Sequence, residues 1–338
     1  MINILLTSAG RRSYLAAYFR NALGGRGLVH TANSSPQNPA FKMADRYIVT
    51  PLIYSDDYIP FLLNYCKCNN ISMIIPLFDV DLPVLASKRE LFATYGVIVL
   101  VSDSWVIDIC NDKWKTVDFL KKNGIGHPKT FLNLNDAVLA LKTGELEFPV
   151  IVKPRRGMGS IGIFEAETFD ELNIFYKKAT NMAMTSYIHY EAMQDVNHTL
   201  IQQKIDGIEY HLDVINDLNG NYQNTIVKRK LSMRAGETDC AQIIEHTKLW
   251  NIGKYLSELL RHRGNLDVDV FQDGDIYYVL EMNARFGGGY PFSHVAGVDL
   301  PQAIIQWQCG IPVDKDALLC ATLGITAHKD IQIVVIDV

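Results

Sequence analysis

The first part of the chain alternates short apolar runs with segments of helical periodicity. The apolar runs predict strands at residues 2–6, 28–31, 73–77 and 97–101. Helical periodicity covers residues 14–23, 58–65 and 80–95. Strands that alternate with helices predict an open parallel sheet with helices on both of its faces. We expect this α/β domain to occupy residues 1–105.

A predicted β-hairpin further along carries regularly spaced polar side chains. Residues 265–271 alternate in polarity, and the turn at 272–275 contains Asp-Gly, a strong hairpin signal. The returning apolar strand ends in Glu281, Asn283 and Arg285. Because strand side chains alternate between the two faces of a sheet, these three side chains share one face. A solvated edge strand is the alternative interpretation, which the apolar character of the strand disfavours.

Folding this hairpin brings Asp269 level with Glu281. Asp269, Glu281 and Asn283 would then offer three oxygen ligands to one or two Mg²⁺ ions, with Mn²⁺ as a substitute. Arg285, on the same face, suits a phosphate group, which a guanidinium binds in a fork. Asp267 lies on the same face as Asp269 and is a weaker candidate ligand.

A lysine interrupts the apolar run at residues 148–154, and a glycine-rich loop follows it. Lys153 is costly in such a run unless its ammonium meets an anion; the alternative is a side chain that reaches out to solvent. The loop at 155–162 contains Gly157, Gly159 and Ser160, and its glycines let backbone N–H groups face an anion. A strand predicted at 161–165, rather than a helix, follows the loop, which argues against a dinucleotide-binding fingerprint.

The Glu-Met-Asn-x-Arg sequence at residues 281–285, after an Asp-bearing hairpin, resembles the ATP-grasp superfamily. The similarity is greatest to the branch that includes carbamoyl-phosphate synthase, biotin carboxylase and small carboxylate–amine ligases. It implies an α/β and α+β architecture, in which the N-terminal parallel sheet (a pre-ATP-grasp domain) precedes a two-lobed ATP-grasp fold. The smaller lobe, with its glycine-rich flap, is expected at residues 106–200 and the larger lobe, with the metal hairpin, at 201–338.

The resemblance also implies the residues that bind ATP. Lys113, which begins a predicted helix, would reach the phosphates, and Lys153 the α-phosphate. The flap with Gly157, Gly159 and Ser160 would cover the triphosphate. Gln202 and its neighbour replace an acidic pair of the family, and an amide oxygen can still accept from adenine. The remaining nucleotide contacts are expected from the backbone of Lys204 and Ile205 and from Glu209, at the ribose.

Catalytic and substrate residues are implied in the same way. A basic segment at residues 226–238 would face the transferred phosphate, with Arg234 as the first candidate and Lys230 and Lys228 after it; a solvated edge strand is the alternative. Arg285 would stabilise the developing charge. In the N-terminal domain the first strand–helix turn offers Ser8, Gly10 and Arg11 to a substrate, and Gly288 is a further candidate. Arg11, Arg12, Arg234 and Arg285 together suggest an anionic acceptor, such as an amino acid, a sugar acid or a nucleotide-linked sugar. His211 and His294 are more readily explained as packed or hydrogen-bonded histidines.

These parts together indicate an ATP- and Mg²⁺-dependent ligase. The γ-phosphate would pass to a carboxylate, and an amine would displace phosphate from the acylphosphate to form an amide, with ADP and phosphate released. A kinase that phosphorylates a small carboxylate or amide without ligation is the alternative. A nucleotide-responsive binding module is disfavoured because all three metal-ligand candidates are present.

The amino-acid composition limits the classes of protein to which the chain can belong. The 338 residues are 48% hydrophobic and 20% charged, as in globular proteins, and a net charge of −5 offers no general attraction to nucleic acid. We expect no membrane span or signal peptide, hence a cytoplasmic protein acting on small molecules, with a homodimer possible in this superfamily. The six cysteines lack zinc-type spacing and are predicted to be reduced. A helix is expected at 244–262 and a final strand at 331–336.

Overall fold

The computed structural model describes residues 2–157, 159, 161–185, 189–193 and 195–336. Its first part is a parallel sheet in the order β3-β2-β1-β4-β5. The strands are β1 (Asn3–Thr7), β2 (Val29–Asn33), β3 (Arg46–Val49), β4 (Ile71–Pro76) and β5 (Ile98–Val99). The helices are α1 (Ser13–Leu23), α2 (Tyr58–Asn69) and α3 (Asp81–Ala93). The parallel α/β sheet predicted from the sequence is therefore confirmed.

A small antiparallel sheet follows, in the order β6-β9-β7-β8. Its strands are β6 (Thr130–Phe131), β7 (Val150–Pro154), β8 (Phe164–Ala166) and β9 (Thr199–Gln203). The helices of this part are α4 (Ser104–Asn111), α5 (Lys113–Lys122), α6 (Leu134–Thr143), α7 (Phe169–Thr185) and α8 (His189–Ala192). The domain boundaries at residues 105 and 200 stay predictions, and the second of them lies inside β9.

A larger antiparallel sheet completes the fold, in the order β14-β13-β10-β11-β12-β15. Its strands are β10 (Ile208–Asn216), β11 (Tyr222–Arg234), β12 (Glu237–Ile243), β13 (Gly264–Asp273), β14 (Ile276–Asn283) and β15 (Thr326–His328). The helices are α9 (Thr247–Leu260), α10 (Tyr290–Val295), α11 (Leu300–Gln308) and α12 (Lys315–Leu318). The hairpin β13–β14 and helix α9 lie where the sequence pattern places them.

The strand predicted at residues 331–336 is wrong, because no strand is present there. The sheet ends instead at β15, which pairs with β12 over three residues, Thr326 to His328. Ile331, Ile333 and Val335 are exposed and lie beside no partner strand in the described chain. An alternation of apolar and polar residues favours an extended strand, but the strand forms only where a neighbouring strand supplies hydrogen bonds to its backbone.

Apolar packing joins the N-terminal sheet to the large sheet. One buried cluster contains Leu5 and Ile74 of the first sheet together with Leu212 and Val268 of the large sheet. The small sheet has its own cluster, which includes Val152 and its partners on α6 and α7. The site described below therefore lies between a joint two-sheet body and a smaller lobe with a separate core.

Two further predictions concern the chain as a whole. All six cysteines are free thiols, and among them Cys66 and Cys110 are buried. In the part of the chain that the structure describes, every helix is too short or too polar to cross a membrane.

Helix α9 packs on the large sheet through a glycine, which generates a stability prediction. A Cβ at Gly253 would lie 2.6 Å from both Cγ2 and Oγ1 of Thr225. Gly253→Ala should therefore lower the free energy of unfolding by about 1–3 kcal/mol, despite the higher helix propensity of alanine. Urea denaturation of the variant measures this loss.

The double variant Gly253→Ala/Thr225→Ala is the matched control. Removing the two atoms that clash should make it more stable than the sum of the single variants implies. Additive losses would show that crowding between α9 and β11 is not the cause.

Candidate active site

Four neighbouring strands of the large sheet place ionisable side chains on one face. His211 on β10 lies opposite Lys228 on β11 and opposite Asp269 on β13. Asp269 in turn lies opposite Glu281 on β14. Directly opposed residues in an antiparallel sheet project to the same side. Because side chains alternate along a strand, residues two positions away share this face, which adds Glu209, Asp213, Asp267 and Asn283.

This polar face forms the floor of an open cavity of about 270 Å³. The glycine-rich loop of the small lobe and the first turn of the N-terminal domain complete its walls. The cavity brings together most of the residues predicted from the sequence. They are Lys113, Lys153, Gly157, Gly159, Glu209, Lys230, Asp269, Glu281, Asn283, Arg285 and Gly288.

Four predicted residues of the hinge and the basic strand lie outside the cavity: Gln202, Lys204, Ile205 and Arg234. Gln202 is 2% exposed, and its side-chain amide donates to Thr130 Oγ1 at 2.8 Å. Lys204 forms an ion pair with Glu165 at 2.8 Å. Arg234 is 44% exposed and forms an ion pair with Asp239 at 2.6 Å. Neither these side chains nor that of Ile205 lines the cavity.

The first turn of the N-terminal domain contributes a different arginine from the one predicted. Arg11 is exposed, whereas Arg12 lines the cavity. Ser8 donates to Asp81 Oδ1 at 2.8 Å, and Gly10 has a left-handed backbone with a φ of 53°. Ser160 lies outside the described residues. The turn thus reaches the site, but through a side chain that alternation alone did not single out.

Lys153 is the least compensated charge in the cavity. It is 4% exposed, and within the described parts of the chain its ammonium has no carboxylate or hydrogen-bond acceptor in reach. Burial, aided by the neighbouring charge of Lys113, lowers the pKa of Lys153 to about 8. A buried ammonium without an anion is unfavourable, so this position is suited to an anionic ligand.

Lys113 lies between the flap and the polar face. Its ammonium donates to the carbonyl oxygen of Gly157 at 2.5 Å and lies 3.9 Å from the Glu281 carboxylate. The preceding residue, Asp112, caps α5 by accepting from the backbone N–H groups of Trp114 and Lys115. A capping carboxylate fixes where the helix begins, and it thereby fixes the direction of Lys113.

Asp112 also fixes the base of the flap. Its buried carboxylate forms ion pairs with Arg155 at 2.6 Å and Arg156 at 3.3 Å. Asp195 binds the same two arginines, at 3.1 Å and 2.6 Å. Burial disfavours the Asp112 carboxylate, but the arginines outweigh it and hold its pKa below the ordinary value. The glycine-rich loop therefore leaves β7 from a rigid, charge-paired base.

His211 lies at the centre of the polar face, surrounded by carboxylates. Its Nε2 lies 2.9 Å from Asp267 and 3.4 Å from Asp213, and its Nδ1 lies 3.3 Å from Asp269. Burial opposes the charged imidazolium, but Asp267 and the hydrogen bonds to the carboxylates raise the pKa of His211 to about 10. The histidine is therefore a cation at neutral pH and holds three acidic side chains together.

Two lysines on β11 balance further carboxylates of this face. Lys228 is fully buried and pairs with Asp213, while Lys230 pairs with Glu209 at 2.6 Å and Asp269 at 2.8 Å. Burial opposes the charge of Lys230, yet these two carboxylates hold its pKa above the ordinary value. Lys228 thus compensates a buried carboxylate, and Lys230 compensates two half-buried ones.

Arg285 connects the large sheet to the N-terminal domain. Its guanidinium pairs with Asp267 and with Asp79, each at 2.9 Å. Burial disfavours the charge, but Asp79 and Asp267 raise the pKa of Arg285 further above its ordinary range. The side chain is thus already committed to two protein carboxylates rather than free to bind phosphate.

The three consecutive glycines after β14 have different reasons to be glycine. A Cβ at Gly287 would lie 2.3 Å from the carboxyl carbon of Asp267, and a Cβ at Gly289 2.6 Å from the ring of His211. At Gly288 the nearest atoms, on Glu237 and Lys329, would be 3.8 Å away. The chain thus packs its backbone against the carboxylate–imidazole cluster at Gly287 and Gly289 and leaves open space at Gly288.

Two sets of residues on this face could hold a divalent cation. His211, Asp267 and Asp269 offer ligand atoms within 4.8 Å of one another, but Arg285 and the protonated ring already compensate their charge. Glu281 and Asn283, by contrast, make no side-chain hydrogen bond within the described residues. Together with Asp269, which also pairs with Lys230 and His211, they supply the oxygen ligands that Mg²⁺ prefers, and the donor set fits the ion.

The network that joins Asp213, Lys228 and Asp267 was not predicted from the sequence, and His211 was expected only to be packed or hydrogen-bonded. Residues 209, 211 and 213 alternate along β10, and this period of two was the signal that all three project to one side. The pairing itself could not be predicted, because it depends on which strands become neighbours.

Comparison with known proteins agrees with this architecture. The family model described as "ATP-grasp domain" matches residues 110–289, and that described as "PylC-like, N-terminal domain" matches residues 4–100. The carbamoyl phosphate synthase large chain of Campylobacter jejuni is 24% identical over 264 residues, covering 72% of this chain and 22% of the relative. The carbamoyl-phosphate synthase of Methanobrevibacter smithii is 26% identical over 157 residues, covering 45% and 37%. The chain thus spans well under half the length of these relatives.

Solved structures show the same fold. The biotin carboxylase of Campylobacter jejuni, in complex with β-γ-ATP, superposes with a TM-score of 0.74 at 18% identity, covering 96% of this chain and 73% of that chain. N5-carboxyaminoimidazole synthetase from Staphylococcus aureus, complexed with ADP, gives a TM-score of 0.70 at 16% identity, covering 93% and 78%. The predicted N-terminal sheet followed by a two-lobed fold is therefore confirmed.

The glycine triplet generates a test of the cluster. Gly289→Ala should push the His211 ring away from its carboxylates and lower the melting temperature by several degrees, since overpacking typically costs about 1–3 kcal/mol. Differential scanning fluorimetry of the purified variant gives the result.

Gly288→Ala serves as the comparison, because its new methyl group meets only ordinary contacts. This variant should melt within about one degree of the parent, as expected for an uncrowded surface change. Equal destabilisation of both variants would contradict the packing of Gly289 against His211.

Proposed function

The chain belongs to the ATP-grasp family, and we propose that it uses Mg·ATP to join a small carboxylate to an amine through an acylphosphate. The observation that carries the proposal is the buried Lys153, which forms no ion pair or hydrogen bond with the described residues and lines the same cavity as an oxygen-ligand set. A cation without an anion on one wall and anions suited to a metal on the other are the complement of a metal–triphosphate.

The phosphate wall is formed by the small lobe. Lys153 and Lys113 supply two positive charges, and Gly157 and Gly159 bring backbone close to the same space. Positive groups fixed around a transferring phosphoryl group stabilise the charge on its oxygens. We assign Lys113 and Lys153 to the triphosphate and the flap to the exclusion of water, which would hydrolyse an acylphosphate.

The metal wall is formed by the hairpin β13–β14. Asp269, Glu281 and Asn283 would hold one or two Mg²⁺ ions, with Mn²⁺ as a substitute. When bound, the ion would neutralise the triphosphate oxygens and polarise the γ-phosphorus. Lys230 and His211 keep Asp269 ionised, because their charges hold its pKa well below the ordinary value against the effect of burial.

The nucleoside is assigned to the connection between the lobes. Glu209 lines the cavity and is the ribose ligand we propose, although it also pairs with Lys230. The backbone of Lys204 and Ile205 lies between β9 and β10, where its N–H and C=O groups could form hydrogen bonds with the edge of an adenine ring. Gln202 would require its amide to leave Thr130, and it is the weakest of the nucleotide assignments.

The reaction needs no protein nucleophile. A carboxylate oxygen of the substrate would attack the γ-phosphorus while the bond to the β-phosphate oxygen breaks and ADP leaves. The amine nitrogen would then attack the acyl carbon, and the bond from that carbon to the phosphate oxygen would break. The protein would accelerate the reaction chiefly by orienting the bound reactants and by placing fixed charges around them. Arg285 would position Asp267 and Asp79, and Arg234 would need to leave Asp239 to reach the phosphate.

An assay of product masses tests the proposal. ADP release with Mg·ATP is measured against a matrix of free carboxylates and amines, and positive wells are analysed by mass spectrometry. A ligase requires both partners and yields a mass equal to their sum minus water. Release with one partner and a gain of one phosphoryl group would instead identify a kinase.

Glu281→Gln tests the metal assignment in the same assay. It keeps the shape of the side chain but removes the negative charge, so it should abolish most turnover and weaken the binding of Mn²⁺ in the presence of ADP. Electron paramagnetic resonance measures the binding of Mn²⁺. Glu258→Gln, exposed on α9, is the control and should keep both. Unchanged Mn²⁺ binding in Glu281→Gln would remove this residue from the metal site.

The lowered pKa of Lys153 leads us to expect that nucleotide binding depends on pH. Its pKa of about 8 in the free protein means that the ammonium is lost as the pH rises through that value. Affinity for Mg·ADP should therefore fall between pH 8 and pH 10, by up to about tenfold per pH unit. Isothermal titration calorimetry at fixed ionic strength measures this slope.

Lys153→Met should weaken Mg·ADP binding by about tenfold to a hundredfold at pH 7 and abolish the slope, since a charge-assisted hydrogen bond contributes about 1.5–3 kcal/mol. Lys122→Met, an exposed lysine, should bind like the parent. A slope that survives in Lys153→Met would show that another group titrates.

A further inference from the structure

Among the described residues that line the cavity, Arg12 is the arginine that forms no ion pair. The other two arginines of the lining, Arg156 and Arg285, each pair with two aspartates. Within the described residues no carboxylate lies at ion-pair distance from Arg12, which donates to the backbone carbonyl of Leu77. That contact anchors one nitrogen of the guanidinium and leaves its remaining donors available to a ligand.

The surroundings of Arg12 favour an anion. Burial, together with the positive charge of Arg285, lowers the pKa of Arg12, and the negative charges of Asp79 and Asp267 offset only part of this effect without forming an ion pair with Arg12. A carboxylate placed there would relieve this repulsion and accept two hydrogen bonds in a fork.

A carboxylate lies near the same region of the cavity. Glu237, the first residue of β12, lines the cavity beside the open space at Gly288. Its side chain is 70% exposed, and its ion pair with Lys329 is 3.3 Å long, a surface contact of little energetic weight. Arg12 and Glu237 both act on the partly buried Tyr14: loss of solvent raises the pKa of this phenol to about 12, Arg12 opposes the rise and Glu237 adds to it.

We propose that Arg12 and Glu237 form the subsite for the amine substrate and that this substrate is an amino acid. Its carboxylate would pair with Arg12, and its amino group would lie against Glu237, over the glycine at position 288. A guanidinium and a carboxylate on two sides of one space match the two charges of a zwitterion. This assignment rests on the proposed ligase function and adds the class of the amine.

The subsite also accounts for the proton of the second step. The ammonium of the zwitterion has no lone pair, so it must lose one proton before the nitrogen attacks the acyl carbon. A second proton leaves the nitrogen as the amide forms, and the departing phosphate would take it. The first proton is the one assigned to Glu237. Glu237 holds the amino group by a hydrogen bond and would accept this proton, which then passes to solvent through its exposed side. The carboxylate of the amino acid remains on Arg12 and takes no part in bond making.

Binding measurements on the whole chain test the subsite without the unknown carboxylate partner. The twenty common amino acids are screened in the presence of Mg·ADP by thermal shift, and the best binder is titrated calorimetrically. It is then compared with its amine analogue, which lacks the carboxylate, and its acid analogue, which lacks the amino group. The amino acid should bind at least about tenfold more tightly than either analogue, as expected for one lost charged contact.

Variants assign the two contacts. Arg12→Met should weaken the amino acid about tenfold or more but leave the amine analogue unchanged, and Glu237→Gln should weaken the amino acid but not the acid analogue. Arg12→Lys, which keeps the charge, should restore part of the affinity and shows that the loss is not a folding defect. Arg20→Met, an exposed arginine of α1, should bind like the parent.

Chemical labelling of the unaltered protein gives an independent measurement. Phenylglyoxal should modify Arg12, identified by peptide mass spectrometry, and the bound amino acid should protect it. Failure of all twenty amino acids to bind while Mg·ADP binds would overturn the subsite and leave the ligase proposal standing. Failure of Mg·ADP to bind would instead count against the ligase proposal itself, and equal losses for both analogues in Arg12→Met would overturn the assignment of that residue.

Discussion

The site depends on the pairing of buried charges across one face of the large sheet. Removing carboxylates, lysines and an imidazolium from water costs less free energy when each group lies close to an opposite charge. His211 does so for three carboxylates at once, and Lys230 and Arg285 balance the rest. Against this compensated background, the uncompensated Lys153 indicates where the protein leaves room for a ligand.

The features that the sequence predicted well are those set by local rules. The Asp-Gly turn and strand alternation were sufficient to bring Asp269 level with Glu281, and Lys153 was conspicuous as a lysine in an apolar run. The errors concern relations between distant segments. β3 was missed although three of its four residues are apolar, because it is a short and largely exposed edge strand. The final strand was predicted, but the described chain offers it no neighbouring strand. Arg12 rather than Arg11 lines the cavity, a choice made by the packing of the turn.

The two lobes differ in how they are held. The large sheet shares an apolar cluster with the N-terminal sheet, whereas the small sheet has a cluster of its own. Polar contacts such as that between Lys113 and the Gly157 carbonyl, together with the Asp112 ion pairs, link the flap to α5. The flap is thus attached through groups that a triphosphate can also bind, while the metal ligands belong to the more continuous body.

Arg285 pairs with Asp79 from the N-terminal sheet, 206 positions away in sequence. The N-terminal domain is therefore not an interchangeable module. If it were removed or replaced by an unrelated α/β domain, a buried guanidinium would lose half of its counter-charge, and the body shared by the two sheets would lose its apolar contacts. Recombination of these domains, in evolution or in engineering, would have to preserve the acidic residue together with the packed surface, so the two are expected to be inherited as one unit.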